Sequence, residues 1–216
     1  MLEKMDAFFE ARLMGYDDHM LTEIEGAQEF YPATAEYLPR QAGASVLDLG
    51  CGTGLELEYY FRLNPSAKVT GIDLSQGMLE ALEKKFSGRQ ITLIQGSYFD
   101  VPLGENCFDG AVSVESLHHF TREAKTELYR KLRNALKEGA SFILTDYFAC
   151  DQADEDHWYR ELLRLKAEYG IPEDGFYHYD TPLTVENETK ALLDAGFCRV
   201  EELGCWAATH ILRATR

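Results

Sequence analysis

Beyond residue 44 the chain alternates between two hydrophobic rhythms. Short apolar runs stand at residues 45–49, 68–72, 91–94, 108–114 and 141–147. Their length suits buried strands. Between them, apolar residues return every three or four positions, as in Met78, Leu79, Leu82 and Phe86, or Leu128, Leu132, Ala135 and Leu136. That spacing predicts helices with one buried face. Strands alternating with helices predict a doubly wound α/β fold, a mostly parallel sheet covered on both sides. Two last runs, 197–203 and 209–212, flank Gly204-Cys205-Trp206 and predict an antiparallel C-terminal hairpin, giving seven strands in all. Ser75, Thr121 and Thr184 stand where helix N-caps are expected, and Gly139 and Gly196 where helices should stop.

Two segments break this rhythm. Residues 1–43 precede the first strand as a helical arm. Met5, Phe8, Phe9, Arg12 and Leu13 form one stripe, Gly15-Tyr16-Asp17-Asp18 interrupts it, and a second helix is expected over about 27–38. Residues 44–216 then form the main domain, with an insertion at 151–182 after the fifth strand: a charged helix over 151–169 and a loop over 170–182. The insertion leaves from the carboxyl edge of the sheet, where open α/β sheets bind ligands. Its aromatics, among them Trp158, Phe176, Tyr177 and Tyr179, suit a lid or the underside of a packing helix equally.

Composition narrows the partners. The net charge of −16, with no Lys/Arg cluster longer than a pair, disfavours nucleic acid and anionic membranes. No run of eighteen apolar residues or signal-peptide pattern occurs. Five scattered cysteines without a C-x-x-C fit a reducing cytoplasm and argue against a zinc site. A monomer or a homodimer is expected, with a small-molecule substrate.

The chemistry concentrates in Val46-Leu47-Asp48-Leu49-Gly50-Cys51-Gly52-Thr53-Gly54 and in Gly71-Ile72-Asp73-Leu74-Ser75. Three glycines at alternate positions let the backbone turn sharply after a strand and let a ligand approach it. Asp73, at the tip of the second strand, is placed to accept both hydroxyls of a ribose. An adenosine-containing ligand follows, and NAD, FAD and S-adenosylmethionine share this geometry. The dinucleotide fingerprint needs G-x-G-x-x-G, but Leu55 occupies its third glycine. Asp48 would repel a pyrophosphate and attract the ammonium of a methionine moiety.

These stretches resemble motifs I and II of the class I S-adenosylmethionine-dependent methyltransferases. Phe108 to Phe120, which includes Leu117-His118-His119, resembles their motif IV, and Leu136-Lys137-Glu138-Gly139-Ala140 their turn before the fifth strand. The resemblance implies a Rossmann-like fold and S-adenosyl-L-methionine as cofactor. It places Asp48, Gly50, Cys51, Gly52, Thr53 and Gly54 around the methionine and ribose, and Asp73, Leu74 and Met78 at the ribose and adenine. Gly96, Ser97 and Tyr98 stand where the family usually carries a Gly-Asp pair, and the missing carboxylate weakens that adenine contact. Val114 and Glu115 would lie above the sulfonium. His118, His119 and Glu115 are the catalytic candidates. No third ligand stands near the histidine pair at a metal spacing, so no metal is expected. Tyr16, Met20, Tyr31, Tyr147, Trp158 and Tyr177 are expected to wall the substrate pocket. The resemblance implies methyl transfer to a small molecule. Two other readings are an enzyme that modifies S-adenosylmethionine itself, with Arg199 and Arg213 as candidates for the extra basic residue near the cofactor, and a non-catalytic binding partner.

Overall fold

The computed structural model describes residues 2–172 and 177–216; the expectation placed on Phe176 lies outside them. Seven strands form one sheet: β1 (Ser45–Leu49), β2 (Lys68–Asp73), β3 (Gln90–Gln95), β4 (Phe108–Val114), β5 (Leu136–Tyr147), β6 (Arg199–Trp206) and β7 (Thr209–Thr215). Their order is β3-β2-β1-β4-β5-β7-β6, and only β7 runs against the rest. Consecutive residues of a strand point to opposite faces. Val46 and Ile143 therefore enter one core, and Leu47 and Leu144 the other. Helices cover both cores: α4 (Leu55–Leu63), α5 (Gln76–Lys85), α6 (Arg122–Ala135), α7 (Gln152–Tyr169) and α8 (Val185–Asp194). The chain order reverses direction between β1 and β4, which opens the ligand crevice at their carboxyl ends.

Ser75 and Thr184 cap as expected, accepting from Met78 N and Asn187 N at 3.2 Å each. Thr121 occupies the N-cap of α6 without a side-chain bond. Gly139 does not stop that helix. α6 ends at Ala135 because Leu136 turns extended and pairs with Phe108, so β5 starts earlier than its apolar run and Gly139 lies inside it.

The arm holds three helices, α1 (Met5–Arg12), α2 (Tyr16–Glu23) and α3 (Ala27–Glu36). Where a simple break was expected, Gly15 turns left-handed (φ 87°) and starts α2, whose first turn carries Asp17 and Asp18 toward the positive end of the helix dipole. α3 is built into the core: Phe30, Tyr31 and Ala35 are buried, and the hydroxyls of Thr34 and Thr145 on β5 meet at 2.6 Å. α1 lies over the start of α5, where Glu10 Oε2 accepts from Ser75 Oγ (2.8 Å) and Gly77 N (3.2 Å). The arm also holds the end of the insertion: Glu3 O accepts from His178 N at 3.0 Å, and the rings of Phe8 and His178 stack 3.5 Å apart. Among the described residues no helix is long and apolar enough to cross a membrane.

Candidate active site

The glycine turn is tied to the end of β2. Gly50 N and Cys51 N both donate to Ile72 O, at 2.9 and 3.2 Å. Gly50 (φ 72°) and Gly52 (φ 47°) are left-handed, which glycine adopts without steric cost. A Cβ at Gly50 would stand 2.1 Å from Ser116 Oγ, whereas one at Gly52 would meet nothing within 4 Å. Gly52 thus presents bare backbone to open space. Asp73 is fixed by two backbone donors, Gly52 N to Oδ2 and Ser75 N to Oδ1, at 2.9 Å each. Each carboxylate oxygen has lone-pair capacity left for a further donor.

This turn lines a cavity with Leu74, Met78, Tyr98, Val114, Glu115 and Ser116, roofed by Met5, Phe9 and Tyr16 of the arm. A wider cavity of about 640 Å³ adjoins it and shares Phe9, Tyr16 and Glu115. Met20, His118, His119, His178 and Asp180 are on its wall.

Several residues expected at the cofactor lie off these walls. Asp48 is buried beside Glu56, and Asp48 Oδ2 and Glu56 Oε1 have no conventional hydrogen-bond partner. Burial, reinforced for Asp48 by the nearby Glu56 carboxylate, raises both pKa values. Cys51 turns into the core, where a Cβ on Gly71 would meet its Sγ at 2.7 Å. The Thr53 hydroxyl donates to Asp17, and Gly54 is the N-cap of α4. Ser97 Oγ accepts from Phe99 N (3.2 Å) and so closes its own turn, with Gly96 before it.

The catalytic candidates do converge. Glu115 sits at the end of β4 with φ 48°, an uncommon conformation for a residue other than glycine, and such strain concentrates at functional sites. Its Oε1 accepts from Thr209 Oγ1 at 3.0 Å. Burial raises its carboxyl to about 7, although the nearby His118 works against the rise. His118 and His119 lie in one 3-10 turn, Leu117–His119. Asp146, near the end of β5, holds this turn: Oδ2 accepts from Leu117 N (2.9 Å), and Oδ1 is 2.5 Å from His118 Nδ1. Burial disfavours the His118 cation, yet Asp146, Glu115 and Asp180 together hold it up to about 9. Burial and the His118 charge push His119 down to about 4. Sequence reasoning missed Glu56, Asp146 and Asp180. Asp146 had a signal, being an acid at the carboxyl edge of a strand as Asp73 is. Asp180 had none.

Of the expected pocket residues, Tyr16 and Met20 line the wider cavity. The other four lie off both walls. Tyr31 packs in the core against Phe30, and Tyr147 meets His118 edge-on, with centroids 5.9 Å apart. Trp158 packs against Tyr179, and Tyr177 bridges to Lys4. Among the described residues of the insertion, His178 and Asp180 at its end line the cavity, and the arm holds this end through Glu3 O and His178 N. Arg199 pairs with Glu201, and Arg213 lies over Tyr37; neither is on a cavity wall.

Residues 46–139 match the methyltransferase domain family. A demethylmenaquinone methyltransferase of Symbiobacterium thermophilum is 35% identical over 108 residues, covering 47% of this chain and 41% of that protein. This chain therefore spans less than half of that relative's length. The crystal structure of a putative O-methyltransferase from Nostoc punctiforme superposes with a TM-score of 0.73 at 20% identity, covering all of this chain and 62% of that one. A putative methyltransferase of Haloferax volcanii, solved in complex with the Trm112 methyltransferase activator, reaches 0.69 at 14% identity, covering 100% of this chain and 99% of the other. The two structural likenesses show a shared fold. Residues 46–139 thus carry a methyltransferase domain, and the chain has the fold of the class I S-adenosylmethionine-dependent methyltransferases, with the glycine turn and Asp73 at the crevice.

Proposed function

We propose that this protein transfers a methyl group from S-adenosylmethionine to a small-molecule acceptor held in the wider cavity. One observation carries the reading: the cavity of the glycine turn and Asp73 adjoins the histidine-lined cavity, and the two share Phe9, Tyr16 and Glu115 as walls. Donor and acceptor would meet there.

The residues fit the cofactor. The open face of Gly52 admits close approach to the backbone, and Asp73 has lone-pair capacity left for a ribose diol. Leu74, Met78 and Tyr98 give an apolar and aromatic wall for a base. The free space under the arm is about 50 Å³, far below the ~300 Å³ of a small ligand site. Met5 and Phe9 must therefore withdraw before the cofactor enters, which makes α1 a lid held by Glu10. When bound, S-adenosylmethionine supplies a methyl on a sulfonium, open to in-line displacement. The chain's contribution is to align the acceptor with that methyl and to exclude water. His118, held as a cation by Asp146, is not a free base near neutral pH, whereas His119 is neutral and faces the cavity. Positioning accounts for more of the site than proton removal.

The net charge of −16 supports a small molecule over a nucleic acid or an anionic membrane as partner. The reading is tested by calorimetry with S-adenosylhomocysteine and NAD, then by methyl transfer to pooled metabolites. Binding of S-adenosylhomocysteine without NAD is expected; tighter binding of NAD would refute it.

A further inference from the structure

The histidine pair and Asp180 form a cluster that alignment of substrates does not require. His118 Nε2 is 3.7 Å from Asp180 Oδ1, and His119 Nδ1 is 3.0 Å from the same oxygen. One ligand atom from each of the three residues lies within 4.8 Å of the others. Donors held about 2.0–2.2 Å from one tetrahedral ion stand roughly 3.3–3.6 Å apart. The two separations to Asp180 Oδ1 bracket that range and the third is within 4.8 Å, so side-chain movements would bring the three onto one centre.

Two further observations point to a bound cation. His119 is 4% exposed, yet its Nδ1 has no hydrogen-bond partner, and neither does the buried Asp180 Oδ1. The two atoms approach each other at 3.0 Å as an ion-pair contact. Buried polar atoms without partners are rare and costly. A cation that drew them a few tenths of an ångström apart would be ligated by both. Secondly, the Nδ1–H of His118 donates to Asp146, which itself is held by Leu117 N. That bond keeps a proton on Nδ1 and leaves Nε2 toward Asp180. Carboxylate–histidine pairs of this kind orient metal-ligating imidazoles and raise their basicity. The surroundings are also acidic: Glu115, Asp146 and Asp180 face these two imidazoles.

We propose that His118 Nε2, His119 Nδ1 and Asp180 Oδ1 form a three-ligand site for a zinc-class divalent cation, whose open position faces the wider cavity. Two imidazoles and one carboxylate suit zinc, cobalt or iron(II) and not magnesium, which favours an all-oxygen shell. Binding displaces the Nε2 proton of His118 and leaves its Nδ1–H on Asp146. The open position would take an oxygen donor, so a hydroxyl or carboxylate on the acceptor is the ligand class. The cation site stands on the chain's own donors; only its use in holding an acceptor rests on the methyl-transfer reading.

The test uses the full chain, stripped with a chelator and titrated with Zn²⁺ by calorimetry and with Co²⁺ by visible absorption. One equivalent per chain should bind, with ligand-field bands for Co²⁺ and no competition from excess Mg²⁺. Asp180→Ala and His119→Ala should each weaken binding at least ten-fold, and Asp146→Asn about 10- to 100-fold. Asp180→Asn keeps the side-chain shape and should weaken it in the same direction, which covers a folding failure of Asp180→Ala. Glu202, Cys205 and His210 form a rival cluster on the β6–β7 hairpin. Cys205→Ser should leave binding unchanged. Loss of binding in Cys205→Ser, a thiolate charge-transfer band with Co²⁺, or no stoichiometric binding would overturn the proposal. Because the readout is metal binding, its failure is distinct from failure of methyl transfer.

Discussion

Replacing Asp73 by Asn isolates the contribution of one carboxylate to cofactor binding. Its two oxygens each accept a backbone N–H, from Gly52 and from Ser75, and each has capacity for one ribose hydroxyl. The amide keeps one oxygen and turns the other into an NH2 group. That group must then face either Gly52 N–H or Ser75 N–H, donor against donor. One ribose hydroxyl loses its acceptor whichever way the amide turns, and the other keeps only a neutral one. Hydrogen bonds to charged groups contribute about 1.5–3 kcal/mol, so the dissociation constant for S-adenosylhomocysteine should rise roughly 10- to 150-fold. The glycine turn also loses one tie, which places the effect toward the upper end. The assay is calorimetric titration of parent and variant, with thermal unfolding of both to confirm that the variant is folded. A folded Asp73→Asn whose affinity stays within about two-fold of the parent would refute the placement of the ribose.

Three other outcomes follow from the same geometry. Glu10→Ala removes the acceptor for Ser75 Oγ and Gly77 N, so the lid should open more readily and stopped-flow association of S-adenosylhomocysteine should accelerate; an unchanged rate would remove α1 as a gate. The raised pKa values of Asp48 and Glu56 mean that their protonated forms favour the folded state. That stability is present below the ordinary carboxylate range near pH ~4 and is lost as pH rises through the folded values, so Glu56→Gln should flatten the fall of melting temperature on the alkaline side, whereas parallel curves would contradict the raised pKa of Glu56. Lys125→Met leaves Glu188 charged and buried without its 2.6 Å ammonium partner, which should cost about 3–5 kcal/mol in denaturant unfolding; a loss under ~1 kcal/mol would show that Glu188 is satisfied by Tyr129 alone.

The order of strands and helices was legible because burial on a sheet with two covered faces leaves continuous apolar runs, and helices leave a three-to-four spacing. Ser45 to Leu49 reads as a strand for that reason alone. The α6 stop was misread at Gly139 because a glycine near a helix end resembles a C-cap, while pairing of Leu136 with Phe108 had already drawn the chain into the sheet. The start of α2 at Gly15 was hidden in the same way: a glycine that breaks one helix can begin another.

By itself the sequence determined the fold class, the glycine turn and Asp73, since these depend on local backbone freedom and on residues close together in the chain. Only the tertiary structure decided which side chains meet at the site. Asp146 comes from the far side of α6, Asp180 from the end of the insertion, and Tyr16 from the arm, and their approach depends on sheet order and on the arm's grip on residue 178. The same packing turned Asp48 away from the cavity and set it against Glu56, because the glycine turn continues directly into α4 over the face of β1 to which Asp48 points. Short-range pattern fixes the backbone's options, whereas the chemistry of a buried carboxylate or imidazole is set by neighbours that are distant in the chain and close in space.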